Sequence, residues 1–252
     1  MSCMTDISTQ VVVITGGAGD LGWAIAQACL DAGARVTLVD QDQSALLRRG
    51  DVKDPRLLRL QCDISNSEQT RTVIDTVVEH WGRLDVLVNN AAVVTPTAKL
   101  GELSLEHWHQ AMAVNLTGAW LMSKWALIPM RRARSGLVLN IASQLGSVAA
   151  PGRGAYSASK AGLIAMARAL AVDYAEEGIR ALSLSPGAVL TSRVLGRYGS
   201  AKAASDALAH RYPIRRLGAV QEVAQTALFL MSRSASFMTG TDVRVDGGYT
   251  AI

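Results

Sequence analysis

Cysteine is scarce in this 252-residue chain: Cys3, Cys29 and Cys62 are widely spaced, odd in number and form no Cys-x-x-Cys pair. That argues against a disulfide framework and for reduced thiols in a cytosol-like compartment. No run of 18 apolar residues occurs, which excludes a membrane-spanning helix. The first ten residues, MSCMTDISTQ, hold no apolar segment of a signal peptide. Charge of one sign is also lacking, since 25 basic and 21 acidic side chains leave only +4, and no basic run is interleaved with aromatics. Nucleic acid is therefore not an expected partner. The expectation is a soluble, cytoplasmic protein without a membrane partner. His107 and His109 are two apart on a predicted helix and face apart, so no metal site is read.

What is present is apolar. Hydrophobic residues make up 49 % and charged residues 18 %, enough for a large core. No repeat, low-complexity stretch or linker divides the chain, so one domain over residues 1–252 is expected. Near-continuous apolar runs read as strands at Val11–Thr15, Arg35–Val39, Leu57–Cys62, Leu84–Asn89, Gly136–Ser143, Ile179–Ser185 and Asp242–Val245. Between them, Leu21–Ala32, Asn66–Trp81, Leu105–Arg131, Ala155–Glu177 and Val220–Ser232 read as helices. This alternation predicts an α/β fold, a Rossmann-type doubly wound parallel sheet of about seven strands flanked by helices on both faces. Ligands of such sheets bind beyond the carboxyl ends of the strands, so the chemistry belongs on the loops that follow them.

The first such loop is rich in glycine. Thr15-Gly16-Gly17-Ala18-Gly19-Asp20-Leu21-Gly22 follows the first strand and opens a helix. Gly17, Gly19 and Gly22 fit G-x-G-x-x-G, where glycines permit a tight turn and close backbone approach to a pyrophosphate. The helix N-terminus adds free N–H groups and partial positive charge. Asp40 closes the second strand, 18 residues after Gly22, where a carboxylate accepts hydrogen bonds from the adenosine ribose hydroxyls and repels a 2′-phosphate. No Lys or Arg sits at position 41 or in the glycine loop to reverse that preference, so the expected cofactor is NAD (NADH) rather than NADP.

Tyr156 and Lys160 are four apart at the start of a predicted helix and project from one face. An ammonium beside a phenol favours the phenolate, as does the positive nicotinamide ring of an oxidised cofactor. That pair suits removal or return of an alcohol proton. Ser143 ends the predicted fifth strand, where its hydroxyl can hold the reacting oxygen. Asn115 lies among apolar neighbours inside a predicted helix and must be paired or wet; a water-linked relay to Lys160 and a satisfied core amide both account for it.

In this order the elements resemble the short-chain dehydrogenase/reductase family across essentially the whole chain. They are the Thr15–Gly22 loop, Asp40, Asp63 in Cys62-Asp63-Ile64, Asn89-Asn90-Ala91, Asn115, Ser143, Tyr156-x-x-x-Lys160, Pro186-Gly187 with Thr191, and Asp246-Gly247-Gly248. The resemblance implies that Ser143 orients the substrate oxygen, Tyr156 is the acid–base, Lys160 lowers its pKa and bonds the nicotinamide ribose, and Asn115 completes the proton relay. It implies a cofactor site made of Gly16, Gly17, Gly19, Asp20, Leu21, Gly22, Asp40, Asp63, Ile64, Asn89, Ala91, Pro186, Gly187, Val189 and Thr191, together with Tyr156 and Lys160. In it Asp63 and Ile64 flank the adenine, Asn89 holds the cofactor ribose region, and Val189 and Thr191 meet the carboxamide. It also implies a homotetramer, in agreement with the helix after Tyr156, which is apolar nearly all round.

Two positions depart from the family pattern. Asp20 stands where T-G-x-x-x-G-x-G has its middle glycine, and a carboxylate there weakens cofactor binding unless it points to solvent or caps the helix. Ala92 stands where N-N-A-G ends in glycine. The substrate is expected to meet loops after strands four to six, with Gln144 suiting a polyol and Arg153, Arg193 and Arg197 suiting an anion. Residues 192–213 read as a lid, with Gly196 and Gly199 as hinges. The clusters Arg131, Arg132, Arg134 and Arg211, Arg215, Arg216 read either as solvated surface or as docking for an anionic carrier. The leading expectation is an NAD-dependent secondary-alcohol or polyol dehydrogenase acting on a small molecule. The alternatives are a 3-oxoacyl-carrier or other carbonyl reductase and a non-catalytic nucleotide-binding regulator.

Overall fold

A computed structural model describes residues 6–49 and 54–252; Cys3 lies outside them. The strands form where β-branched and aliphatic residues run uninterrupted: β1 Val11–Thr15, β2 Arg35–Asp40, β3 Leu57–Gln61, β4 Val86–Asn89, β5 Gly136–Ile141 and β6 Ile179–Pro186. Two short strands, β7 Val189–Leu190 and β8 Gly218–Ala219, pair with each other, and β9 Asp242–Val245 completes the main sheet. Seven strands lie parallel in the order β3-β2-β1-β4-β5-β6-β9. Strand order reverses between β1 and β4, which opens a crevice at their carboxyl ends.

Side-chain alternation along β1 explains why both faces need cover. Val12 and Ile14 join Val36 and Leu38 on one face, beneath helices α1 (Asp20–Asp31) and α9 (Val220–Met231). Val11 and Val13 face the other way, with α3 (Ser67–Trp81), α5 (Ala119–Ala133) and α6 (Gly154–Tyr174) above them. Each fully buried aliphatic side chain contributes roughly 1.5–3 kcal/mol. Cys29 and Cys62 are free and buried in this packing, and burial pushes their thiols up to about 12 and about 11. No helix among the described residues is long and apolar enough to cross a membrane.

The sequence reading misses three helices and merges two others. A short α2 (Gln43–Arg48) follows β2, started by the Asp42 side chain, which accepts from the Ala45 amide. The expected single helix Leu105–Arg131 is instead α4 (Leu105–Met112), a π-helical turn at Ala113–Gly118, and α5. Residues 192–213 form α7 (Ser192–Tyr198) and α8 (Ala201–Leu208) rather than an irregular stretch. Thr191 and Ser200 cap these helices through their side chains, and Ala204, Tyr212 and Leu217 give them a small core of their own. Gly199 does sit at the junction with φ +80°, whereas Gly196 lies inside α7.

Candidate active site

The crevice between β1 and β4 is a cleft of about 850 Å³, within the roughly 300–1,000 Å³ usual for ligand sites. Gly16, Gly19, Asp20, Leu21 and Gly22 form one wall. Gly17 lies just behind it, its amide donating to the Val39 carbonyl at 3.1 Å. Gly16 has φ +65°, and a Cβ there would stand 2.7 Å from Ala91 Cα; one at Gly22 would strike the Gly16 carbonyl oxygen. The turn is therefore built for bare backbone. Asn90 secures it, donating Nδ2–H to the carbonyls of Thr15 (2.9 Å) and Gly16 (3.1 Å). Thr15 Oγ1 in turn accepts from the amides of Asn90 and Ala91.

Asp20 takes the place of the family's glycine without a left-handed backbone. It is the first residue of α1, where a carboxylate complements the helix dipole. Its Oδ1 receives Arg49 at 2.6 Å and its Oδ2 the amide of Ser192 at 2.5 Å. Partial burial pushes its pKa up, but these bonds outweigh that and leave it below the usual carboxylate range. The guanidinium of Arg49 also donates to the Ala18 carbonyl at 2.7 Å, so the acid's charge is compensated where a pyrophosphate would lie. The glycine cradle and its compensated acid fit a dinucleotide. Arg49 is a residue that sequence reasoning missed, because the short helix it follows was not foreseen.

Asp40 lines the cleft at the end of β2, its Oδ2 accepting from the Ala18 amide (3.1 Å) and its Oδ1 from the Asp42 amide (3.2 Å). Asp63, Ile64, Ala91, Pro186, Gly187, Val189 and Thr191 are also on the lining, as are Asn90 of the Asn89-Asn90-Ala91 motif, Val93 from the loop after β4 and Val194 from the lid. Asn89 is not. Its side chain turns into the interior and donates to Ser123 Oγ (3.0 Å) and Asn140 Oδ1 (2.9 Å), leaving the neighbouring Asn90 to serve the cleft.

At the other end of the cleft, β5 delivers Ser143 and the first turns of α6 deliver Tyr156 and Lys160. The Lys160 side chain is 2 % exposed; its Nζ donates to the Ile141 carbonyl at 2.7 Å and sits 5.7 Å from the Tyr156 ring centre. Burial, then the charge of Arg193, pushes this ammonium down to about 7. Burial pushes the Tyr156 phenol up, opposed by a hydrogen bond with Ser143 and by Arg193. Ser143 and Arg193 thus act on the phenol in the direction that eases its ionisation.

Asn115 sits fully buried in the π-helical turn, a feature often found at functional sites. Its Oδ1 accepts from the Val93 amide at 2.8 Å, and its Nδ2 donates to the Val93 carbonyl (3.0 Å) and Ser159 Oγ (3.1 Å). The amide is satisfied by protein, and it ties the loop after β4 to the helix that bears Tyr156. Gln144 and Arg153, expected at the substrate, lie off the cleft lining: Gln144 Nε2 donates to Tyr212 Oη at 3.0 Å, and Arg153 reaches the Thr95 carbonyl at 3.4 Å. Arg193 does line the cleft. Within the arginine clusters, Arg131 pairs with Glu177 (2.6 Å) and Arg216 with both carboxylate oxygens of Glu222 (2.7 and 2.6 Å), so these two belong to local ion pairs.

A family model described as "Enoyl-(Acyl carrier protein) reductase" matches residues 16–250. A cis-4-hydroxycyclohexanecarboxylate dehydrogenase of Sinomonas cyclohexanicum is 37% identical over 96% of this chain and 97% of its own length. The chain belongs to the short-chain dehydrogenase/reductase family. It is accordingly an oxidoreductase. Another family member, the NAD-dependent glycerol dehydrogenase of Listeria innocua, is 34% identical over 97% of this chain and 95% of its own. Solved structures agree on the fold: gox2181 superposes with TM-score 0.92 at 30% identity, covering 99% of this chain and 98% of its own. ElxO with NADP bound does so with TM-score 0.91 at 27% identity, covering 96% and 99%.

Proposed function

We propose that this protein is an NAD(H)-dependent dehydrogenase of small secondary alcohols, polyols included, and of the matching ketones. The observation that carries this reading is the meeting of Ser143, Tyr156 and Lys160 in the same cleft as the glycine turn. Relatives acting on a hydroxycyclohexanecarboxylate and on glycerol support the substrate class. Asp40 supports NAD, since its carboxylate would face a 2′-phosphate with like charge. Glycerol dehydrogenase speaks for the same choice and the NADP-bound ElxO for the other.

A nicotinamide held beside Tyr156 and Lys160 would supply the hydride acceptor for the carbinol carbon. Tyr156 Oη, as phenolate, takes the hydroxyl proton, so the C–O single bond becomes a carbonyl as the C–H and O–H bonds break. Ser143 holds the oxygen while charge builds on it. Lys160 supplies positive charge and a donor beside the cofactor ribose. Gly16, Gly17, Gly19, Asp20, Leu21 and Gly22 hold the pyrophosphate region, Asp40 the adenosine ribose, and Asp63 and Ile64 the adenine. Ala91, Pro186, Gly187, Val189 and Thr191 enclose the nicotinamide end. α7 and α8 act as the lid of a single catalytic domain. The assembly is a homotetramer in the cytoplasm, with the outer stripe of α6, where Ala161, Ala165, Ala169 and Val172 are exposed, covered by a second subunit. The test is a panel of polyols, hydroxy acids, steroids and 3-oxoacyl thioesters, each with NAD and with NADP, followed by absorbance of the reduced cofactor. Turnover confined to the thioesters would replace this reading with carrier reduction.

A further inference from the structure

We infer that Arg193 is a specificity-determining residue and that the substrate is an acidic secondary alcohol: its hydroxyl lies at Tyr156 and its carboxylate on the Arg193 guanidinium. This inference rests on the dehydrogenase reading and narrows its substrate class. Arg193 is the second residue of α7 and lines the cleft. Its side chain reaches from the lid to the loop after β4, where Nη2 donates to the Ala92 carbonyl at 3.2 Å. That is one bond for a group with five N–H donors. Among the described residues no carboxylate forms an ion pair with it. The neighbouring acid, Asp20, is already taken by Arg49 and by the Ser192 amide.

The direction of the side chain identifies which anion it serves. The Ala92 carbonyl that receives the guanidinium belongs to the loop after β4, whose next residue, Val93, is tied through Asn115 to Ser159 on the helix that bears Tyr156, and the positive charge of Arg193 is felt at Tyr156 and Lys160. The guanidinium therefore points towards the reacting end of the cleft rather than the pyrophosphate end. A planar fork of donors there matches a carboxylate, which it can hold through two parallel bonds. Val93, Val94 and Val194 line the space alongside and suit the carbon skeleton between the two polar ends. A compact hydroxy acid, open-chain or cyclic, satisfies these demands together, whereas a neutral polyol leaves this exposed cation to solvent.

The experiment uses the full chain with matched probes: 3-hydroxybutyrate and 4-hydroxycyclohexanecarboxylate, each beside its methyl ester, with kcat and KM measured for wild type, Arg193→Leu and Arg193→Lys. NADH dissociation constants are measured by fluorescence for all three proteins. The expected result is a wild-type preference for acid over ester in at least one pair. Arg193→Leu should erase it, with a loss of roughly 10- to 100-fold in kcat/KM for the acid, carried by KM. Arg193→Lys should recover part of it, keeping the charge but not the fork. Equal turnover of acid and ester by wild type would overturn the proposal and leave the dehydrogenase reading standing. So would a loss in Arg193→Leu that appears as a matching rise in the NADH dissociation constant, which would assign the arginine to the cofactor. No NAD-linked turnover of any probe, acid or ester, would count against both.

Discussion

Burial moves the phenol of Tyr156 and the ammonium of Lys160 in opposite directions, because each loses solvation in its charged form. For Lys160 this has a consequence for stability. Its pKa in the fold is about 7 against an ordinary 10.5, so the unfolded chain binds that proton more tightly. The side chain costs stability below about pH 7, and the cost falls away as pH rises from 7 towards 10.5. The melting temperature of cofactor-free wild type, taken relative to Lys160→Met, should therefore rise between about pH 6.5 and 9; a pH-independent difference would contradict the shift. Asp40 answers to a different measurement. Asp40→Ala should remove roughly 10- to 1,000-fold of the NADH-over-NADPH preference in binding titrations, in line with a like-charge repulsion of up to about 4 kcal/mol. Equal affinity of the wild type for the two cofactors would remove Asp40 as the selector.

Among the elements, the glycine turn and the lid are held by one carboxylate. Asp20 sits at the start of α1, and its two oxygens take Arg49, which follows α2, and the first amide of α7. Asp20→Ala should let α7 open more often, so that the Ser192 amide exchanges with solvent about 5- to 30-fold faster, as expected for one charged hydrogen bond of about 1–2 kcal/mol. Unaltered exchange across residues 192–198 would show that the lid is held by its own core alone. This connection was not legible in the sequence, because it joins residues 20, 49 and 192, and α2 and α7 are short helices with weak periodicity. Their start signals, Asp42, Thr191 and Ser200, were present, but glycines at 196 and 199 made the stretch look like a hinge. The strands were legible for the opposite reason. β1 and the middle of β2, Val36–Val39, are buried on both faces, so every position there is apolar or a threonine and nothing interrupts the run. The break between α4 and α5 was hidden because a π-helical turn changes hydrogen bonding without breaking the apolar pattern. Asn115 was visible within it as a polar residue in need of partners, but those partners, Val93 and Ser159, come from distant segments.

At the scale of the whole molecule, sheet order brings chemistry from seven stretches of sequence to one crevice. The reversal between β1 and β4 puts the glycine turn beside Asn90 and Ala91, and β5 and α6 bring Ser143, Tyr156 and Lys160 to the far end of the same cleft. Motif order made this cleft readable before any coordinates. Which neighbouring polar residues face it was not, as Asn89, Gln144 and Arg153 show by turning elsewhere. The outer stripe of α6 leads to a prediction about assembly. Light scattering should give a particle of four times the 26.7 kDa chain, and Val172→Arg should reduce that mass; a wild-type monomer would refute the covered face. The account as a whole depends on Tyr156 acting as the acid–base at the end of a dinucleotide site. The most direct test is turnover of the best alcohol substrate by Tyr156→Phe, with NADH affinity measured on the same preparation. The account predicts a fall in kcat of roughly 10²- to 10⁴-fold with cofactor binding retained, and undiminished turnover in that variant would contradict it.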